Sequence, residues 1–107
     1  MIHLFFFGGP YNDMASSVRH TNGGGFIIVG NTYTDNNLND IWVVKLGVDK
    51  TREWDYTYGG DKDDYGTSIN ITSDGGYIIT GNSYSYGNQS EIILLKIDAY
   101  GKIPQSD

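Results

Sequence analysis

Three carboxylates at short spacing are the residues of this chain best suited to hold a metal ion. Asp61, Asp63 and Asp64 follow a glycine pair closely, and carboxylate oxygens are ligands that Ca²⁺ prefers. The full ligand order of a calcium-binding loop is missing, and such residues more often accept hydrogen bonds from their own turn. The three residues are therefore the candidate metal ligands. Ca²⁺ is the only cofactor that these residues suggest, and an Asx turn is the alternative role.

A second set of residues is suited to bind a flat polar ligand such as a sugar. Tyrosine rings offer apolar faces, and asparagine amides offer hydrogen-bond donors and acceptors. Both types are frequent in the polar segments between the apolar runs of this chain. The candidate ligand-binding residues are Tyr11, Asn36, Asn37, Tyr86 and Asn88.

Length and charge limit the classes of partner. The chain has 107 residues, no cysteine, a formal net charge of -6 and a pI near 4.5. Nucleic-acid affinity depends on neutralising phosphates, so an acidic chain favours neither nucleic acid nor an anionic membrane surface. The apolar run Ile2 to Phe7 is shorter than a signal-peptide core of about 7–15 residues or a membrane span of about 20. We expect no nucleic-acid partner and no membrane span.

The sequence repeats itself over its whole length. When residue n is compared with residue n + 51, 15 of 56 pairs are identical and no gap is needed. Such self-similarity at a fixed period is typical of repeat architectures, in which each unit buries its apolar faces against its neighbours. The identical pairs include Gly8 and Gly59, Asp13 and Asp64, Gly30 and Gly81, Tyr33 and Tyr84, and Ile41 and Ile92.

The repeat also separates structural tyrosines from candidate ligand-binding ones. Tyr33 and Tyr84 occupy equivalent positions, which favours packing between the units. Tyr11 and Tyr86 have no tyrosine at the equivalent position, so they are the better candidates for binding a ligand.

Asp13 and Asp64 are the pair that a glycoside hydrolase would need. Hydrolysis of that kind requires two carboxyl groups whose pKa values are pushed apart by different environments. Equivalent repeat positions have similar environments, so a structural turn is favoured and no catalytic residue is predicted.

Each unit is predicted to contain four short β-strands. β-Branched and aromatic residues fill "TSINIT", "GYIITGNSY", "EIILLKI" and, in the first unit, "REWDYTY", with turn clusters between them. Asp74-Gly75 predicts a two-residue hairpin turn, and Gly24-Gly25 lies in the corresponding turn segment of the first unit. The runs "IWVVKL" and "IILLKI" are apolar at successive positions, which predicts that both faces of each sheet are covered.

These patterns predict an all-β protein made of two four-stranded β-propeller blades, with a β-sandwich as the alternative. The series "TYGG", "DDYG", "SDGGYIITG" and "IILLKIDAYGK" resembles bacterial β-propeller repeats, namely the seven-bladed beta-propeller repeat proteins and related extracytoplasmic lipoprotein propellers. The resemblance covers essentially the whole chain. It implies the propeller fold and an extracytoplasmic location, and it implies no ligand. The first unit departs from the pattern, since Gly23 replaces Asp74 and Pro10 replaces Asp61.

The ends of the chain predict an exchange of strands between subunits. Met1–Phe7 corresponds to Arg52–Tyr58, the outermost strand of a unit. The second unit ends in "IPQSD", a weak outer strand because Pro104 removes a ladder donor. We predict a single repeat domain over 1–107, in which 1–7 complete the second blade of a neighbouring subunit, 8–58 form the first blade and 59–107 the second.

A ring of this kind requires the chain to be its own partner. Propellers have about 4–8 blades, so two blades per chain predict a homo-oligomer, with a trimer or tetramer favoured. The alternative is a fragment of a larger propeller with no independent function.

The function favoured by the sequence is a non-enzymatic binding or scaffold module. Its Tyr-, Asn- and Asp-rich loops would lie at one edge of the sheets and bind a carbohydrate or a protein. The opposite edge carries tight glycine hairpins, which offer little to bind. The alternative is a hydrolase with a carboxylate site at the central channel of the ring.

Overall fold

The computed structural model describes residues 12–33, 38–60, 62–85 and 89–104. These residues form seven antiparallel strands in two sheets, with no helix among them, so the predicted all-β class is confirmed. The first sheet has the order β1-β2-β3-β4 and the second β5-β6-β7. The strands are β1 (Asp13–His20), β2 (Phe26–Tyr33), β3 (Asn39–Leu46), β4 (Arg52–Tyr58), β5 (Asp64–Ile71), β6 (Tyr77–Ser83) and β7 (Glu91–Ile97).

The segment 1–7, predicted to be an exchanged strand, lies outside the described residues and stays a prediction. The described part of the chain has no helix of the length and apolarity needed to span a membrane.

The hairpin turns are one residue longer than predicted. Thr72 and Gly76 pair through the Thr72 amide and the Gly76 carbonyl at 2.9 Å, and Gly75 N–H donates to the Thr72 carbonyl at 3.1 Å. Only Gly75 in this turn has a positive φ, of 84°, which fits a three-residue loop that closes on a left-handed glycine. In the first sheet, Gly24 has the matching φ of 89°, so the two-residue prediction was wrong for both hairpins.

A β-bulge brings the first strand of each sheet unusually close to the second. The pairing register shifts between Ala15 and Ser17 in the first sheet, and at the corresponding point of β5 in the second. A Cβ on Gly30 would overlap the Met14 carbonyl oxygen, and one on Gly81 would overlap the Tyr65 carbonyl oxygen. The identity of these two glycines in the repeat is therefore explained by close backbone approach.

The main core lies between the two sheets, where β5 packs against β1, β2 and β3. Its side chains are 0–4% exposed. They are Ile27, Val29, Ile41 and Val43 from the first sheet and Ile69, Tyr77, Ile79 and Ile97 from the second.

Two hydrogen bonds join the sheets, one inside the core and one beside it, and they fix how the sheets align. Gly66 N–H donates to Asn31 Oδ1 at 2.8 Å, and both residues are buried. Arg19 Nε donates to the Ile69 carbonyl at 3.1 Å. A buried amide of this kind is stable only with its partner in place, so the bonds restrict sliding of one sheet over the other.

The first sheet is also buried on the side that faces away from the second. Trp42, Val44 and Leu46 form a second buried cluster there. Trp42 Nε1 donates to Asp55 Oδ2 at 2.8 Å, and the Arg52 guanidinium lies 5.5 Å from the Trp42 ring centroid. β3 is therefore covered on both faces, as its apolar run predicts.

β7 is covered on one face only by the described residues. Ile92 is 85% exposed and Leu94 is 67% exposed, although they correspond to the fully buried Ile41 and Val43 of β3. Among the described strands, β7 pairs with β6 alone. The apolar run in β7 thus has one exposed face in the part of the chain that the structure describes.

The turn that follows β7 packs against β4. Gly101 has a φ of 83° and lies against the rings of Trp54 and Tyr56. Tyr58 donates its hydroxyl hydrogen to the Gly101 carbonyl, and Lys102 Nζ lies 2.8 Å from Tyr56 Oη. β4 therefore contacts both units.

The close approach at Gly81 predicts a large loss of stability for Gly81→Ala. The added methyl group overlaps a backbone carbonyl that cannot move without breaking the bulge, so we expect a loss of about 3 kcal/mol in the free energy of unfolding. Urea unfolding measures it.

Gly23→Ala is the matched control for this substitution. No atom lies within 4 Å of the position that its Cβ would take, and we expect a change within about 0.5 kcal/mol. Equal stability of the two variants would contradict the close approach at Gly81.

Candidate functional site

One edge of the molecule, here called the loop edge, carries the longer connections. At the loop edge β1, β3, β5 and β7 begin, and β2, β4 and β6 end. At the opposite edge, the turn edge, lie the glycine hairpins and the turns after β3 and β7. Antiparallel pairing places polar residues from distant parts of the chain together at the loop edge.

A cleft of about 530 Å³ opens at the loop edge, where the first sheet meets β5. The side chains around it are mostly polar or aromatic. They are Asn12, Asp13, Met14, Tyr33, Asn39 and Tyr65.

Asn39 holds the wall of this cleft together. Its backbone N–H and its Nδ2 donate to Asp63 Oδ1 at 2.9 and 3.2 Å, and its Nδ2 lies 3.4 Å from Tyr65 Oη. Tyr65 also meets the Tyr84 ring edge-on, with the ring centroids 6.4 Å apart. Burial, and then the nearby Asp63 carboxylate, raise the pKa of Tyr65, so its hydroxyl stays protonated at neutral pH and is available as a donor.

Tyr33 and its repeat equivalent Tyr84 have different surroundings. It is 37% exposed and lines the cleft, and its equivalent Tyr84 is 43% exposed. The described residues place both rings at the loop edge, next to polar groups. Tyr33 therefore borders Tyr65 of the second unit, whereas Tyr84 packs against Tyr65 within its own unit.

Asp64 is a buried acceptor that fixes the start of β5. Its side chain is fully buried and accepts hydrogen bonds from Gly60 N–H and Ser85 Oγ, each at 2.9 Å, and from the Ser83 hydroxyl. Both carboxylate oxygens are thus engaged by the fold. The equivalent Asp13 is half-buried and accepts from the Thr32 hydroxyl.

Asp40 and Asp64 form a pair of neighbouring carboxylates that the sequence did not indicate. A Cβ on Gly59 would meet both of them. Burial, and then the charge of Asp64, raise the pKa of Asp40. The pair comes from β3 and β5, at the junction of the two sheets.

The candidate metal ligands are only partly visible in the structure. Asp61 lies outside the described residues, and Asp63 and Asp64 accept the hydrogen bonds given above. Within the described ranges, no group of three or more His, Cys, Asp or Glu side chains is arranged to hold a metal ion. The Ca²⁺ site stays a prediction.

All five candidate ligand-binding residues lie outside the described residues: Tyr11, Asn36, Asn37, Tyr86 and Asn88. Their described neighbours Asn12, Tyr33 and Leu38 lie at the loop edge. Of the cleft residues, Asn39 and Tyr65 were missed by the sequence analysis. The signal for Tyr65 was present, because Met14 stands at its repeat position, the same mismatch that selected Tyr11 and Tyr86.

The turn edge also has a groove, although the sequence predicts little to bind there. It has a volume of about 450 Å³ and lies between the hairpins of the two sheets, lined by Thr21, Lys45, Glu53 and Tyr77 among others. Lys45 Nζ and Glu53 Oε1 form an ion pair of 3.0 Å in it. This pair satisfies both charges within the protein.

The raised pKa of Asp40 predicts a pH-dependent gain in stability for Asp40→Asn. A raised folded-state pKa means that the folded protein holds its proton more tightly, so this group removes stability as the pH rises above its ordinary value of 3.8. We expect Asp40→Asn to have a higher urea midpoint than the wild type at neutral pH, with the difference vanishing near pH 3.

Asp49→Asn is the control with the opposite sign. Hydrogen bonds from the Thr51 side chain and backbone lower the pKa of Asp49, so its charge stabilises the fold above the ordinary pKa and that contribution is lost on acidification. We expect Asp49→Asn to lower the midpoint at neutral pH. A lower neutral midpoint for Asp40→Asn as well would contradict the assigned environment of Asp40.

Neither a protein-family model nor a curated protein matches this chain. Its function is therefore inferred from the geometry of the cleft and of the two sheets.

Proposed function

We propose that this chain is a non-enzymatic binding module that takes a carbohydrate at the loop-edge cleft. The observation that carries this proposal is the grouping of Tyr33 and Tyr65 with the Asn39 amide around one cleft of about 530 Å³. Small-molecule sites are concave and combine apolar or aromatic walls with a few fixed polar groups. This cleft has that composition.

The chemistry of the lining favours a neutral polyhydroxyl ligand. The half-exposed ring of Tyr33 offers an apolar face. Asn12 offers an amide donor and acceptor, and Asn39, whose Nδ2 already donates to Asp63 and Tyr65, offers its Oδ1 as an acceptor. Asp13 adds a carboxylate, and the chain carries a net charge of -6, which disfavours anionic ligands. A sugar presents both the apolar C–H face and the hydroxyl groups that such a lining can bind.

The environments of the carboxylates support a binding role over hydrolysis. The buried carboxylate of Asp64 accepts three hydrogen bonds from its own turn and the adjacent strand end. An acid or base in catalysis must exchange a proton with its substrate within hydrogen-bond reach. A carboxylate that is enclosed in this way serves the fold.

The proposal also includes the propeller architecture and its completion by other copies. The hydrogen bond from Tyr33 N–H to the Asn12 carbonyl recurs between Tyr84 and Asp63, as do the two hairpins and the two bulges, always at the 51-residue interval. Such recurrence supports two equivalent blades stacked face to face. β7 has an edge without a described partner, and residues 1–7 of another copy are the proposed strand that pairs with it in a trimer or tetramer.

Binding to a glycan array tests the ligand class. The full chain is expected to bind a subset of neutral glycans, and Tyr33→Ala is expected to weaken that binding about tenfold, since a lost aromatic contact is worth about 1.4 kcal/mol. Titration calorimetry on the strongest glycan measures the loss.

Tyr100→Ala is the matched control, because it removes the same phenol from a site that is 73% exposed in the turn after β7. We expect it to bind as the wild type does. Equal weakening by both variants would place the glycan elsewhere. Failure to bind any glycan would overturn the carbohydrate assignment and leave a protein as the partner.

Deletion of residues 1–7 tests strand exchange separately. If these residues pair with β7 of a neighbour, the shortened chain leaves an apolar strand edge open, which promotes aggregation or dissociation. Light scattering on a size-exclusion column is expected to show a discrete oligomer for the full chain and a loss of that species after deletion. An unchanged oligomer after deletion would exclude the exchange.

A further inference from the structure

We propose that the exposed side of the second sheet is a docking surface for a second copy of this chain, joined head to tail. This surface, here called the front face, consists of Ile78, Thr80, Asn82, Ile92 and Leu94. The inference deepens the assembly part of the proposed function. It does not depend on the carbohydrate or on the exchange of residues 1–7.

The front face repeats the residues that form the internal interface. The equivalent positions of the first sheet are Ile27, Val29, Asn31, Ile41 and Val43, all of which the second sheet buries. The residue type is the same at Ile27, Asn31 and Ile41 and at their equivalents. Thr80, which is β-branched, replaces Val29, and Leu94, which is apolar, replaces Val43. Equivalent side chains are thus buried in the first sheet and, apart from the half-buried Ile78, exposed in the second.

The exposure of this face is large for apolar side chains. Ile92 is 85% exposed and Leu94 is 67% exposed, and they lie on the same side of β7 because side chains alternate along a strand. Thr80 and Asn82 stand opposite them on β6, as the Cα partners of Leu94 and Ile92 respectively. Contiguous exposed apolar residues rimmed by polar ones mark interaction sites.

Asn82 on the front face corresponds to the residue that accepts a hydrogen bond across the internal interface. In the internal interface Asn31 Oδ1 accepts the Gly66 N–H at 2.8 Å. Asn82 is the repeat equivalent of Asn31 and is exposed on the front face. Its Oδ1 can accept an equivalent backbone N–H from a strand of the second copy.

The contact between the two sheets indicates which strand of a second copy would dock on the front face. β5 is the strand of the second sheet that packs against β1, β2 and β3, and its central residue Ile69 is fully buried there. The equivalent strand of the first sheet is β1, and the equivalent residue is Val18, which is 55% exposed. A second copy therefore presents β1 and Val18 to the front face.

One residue makes the new interface wider than the internal one. A Cβ on Gly66 would lie 2.6 Å from Val29 Cγ2 and 3.1 Å from Ile41 Cγ2. Ala15 stands at the equivalent position of β1, so its methyl group separates β1 from the front face more than β5 is separated from the first sheet. A contact of this kind joins different surfaces of the two copies, so it closes into a ring or continues as a fibre.

The test uses the full chain and two variants that each disable one side of the contact. Leu94→Glu places a charge on the front face, and Val18→Glu places one on β1. Light scattering is expected to show oligomers for the wild type and, at the same concentration, a monomer of 11.9 kDa for each variant alone. Val48→Glu is the matched control, because Val48 is 69% exposed in the turn after β3 and lies on neither surface; it is expected to assemble as the wild type does.

Mixing the two variants decides the direction of the contact. Each retains one intact side, so an equimolar mixture is expected to form a dimer of about twice the monomer mass and nothing larger. A mixture that stays monomeric would overturn the head-to-tail arrangement. A monomeric wild type, or a Leu94→Glu variant that assembles normally, would overturn the docking surface itself.

Two further measurements keep this result separate from the others. Far-ultraviolet circular dichroism with urea unfolding checks that both variants remain folded. Glycan binding by the Leu94→Glu monomer reports on the cleft without assembly. Assembly by the chain that lacks residues 1–7, together with its loss in Leu94→Glu, would retain the docking surface while excluding strand exchange.

Discussion

β5 packs its apolar side chains against three strands of the first sheet, and the rest of the molecule depends on that contact. Ile69 fills the space between the sheets, and Gly66 has no side chain that would collide with Val29. The bond from Gly66 to Asn31 then fixes the alignment. The loop-edge cleft exists because this contact brings Tyr65 of one sheet beside Asn39 of the other. A shift of β5 would therefore change the cleft and the core together.

Much of the fold could be predicted from local chemistry. β-Branched and aromatic runs identified the strands, because these residues fit a pleated, half-buried surface. The turn glycines were also visible, but the length of the turn was not, since "SDGG" is compatible with more than one loop geometry. Gly75 takes the left-handed conformation and Asp74 does not. The choice depends on the hydrogen bonds of the flanking Thr72, which sequence alone does not contain.

The candidate site was harder to predict than the strands, for a physical reason. A repeat predicts that equivalent residues have equivalent surroundings, and this holds only where each unit has a neighbour on both sides. Tyr33 lies beside β5, whereas Tyr84 borders no further unit of this chain, and Leu94 likewise lacks the cover that Val43 has. The role of Asn39 could not be predicted from the sequence, because it depends on a hydrogen bond to Asp63, which is distant along the chain. Pairing between sheets is a property of the packed chain.

The stacking of the two sheets has a direction, since the first sheet contributes the face with Ile27 and Val29 to their contact and the second sheet contributes the opposite, non-equivalent face with Ile69 and Ile79. A unit added by tandem duplication would meet a surface that already fits it, without the need to evolve a new interface. The same property restricts single-residue change. A substitution that makes the exposed face of the second unit more hydrophilic would destabilise a duplicated chain. In that chain the same position would be buried wherever another unit followed it. The residues that such a chain leaves exposed therefore resemble those that it buries between its own units.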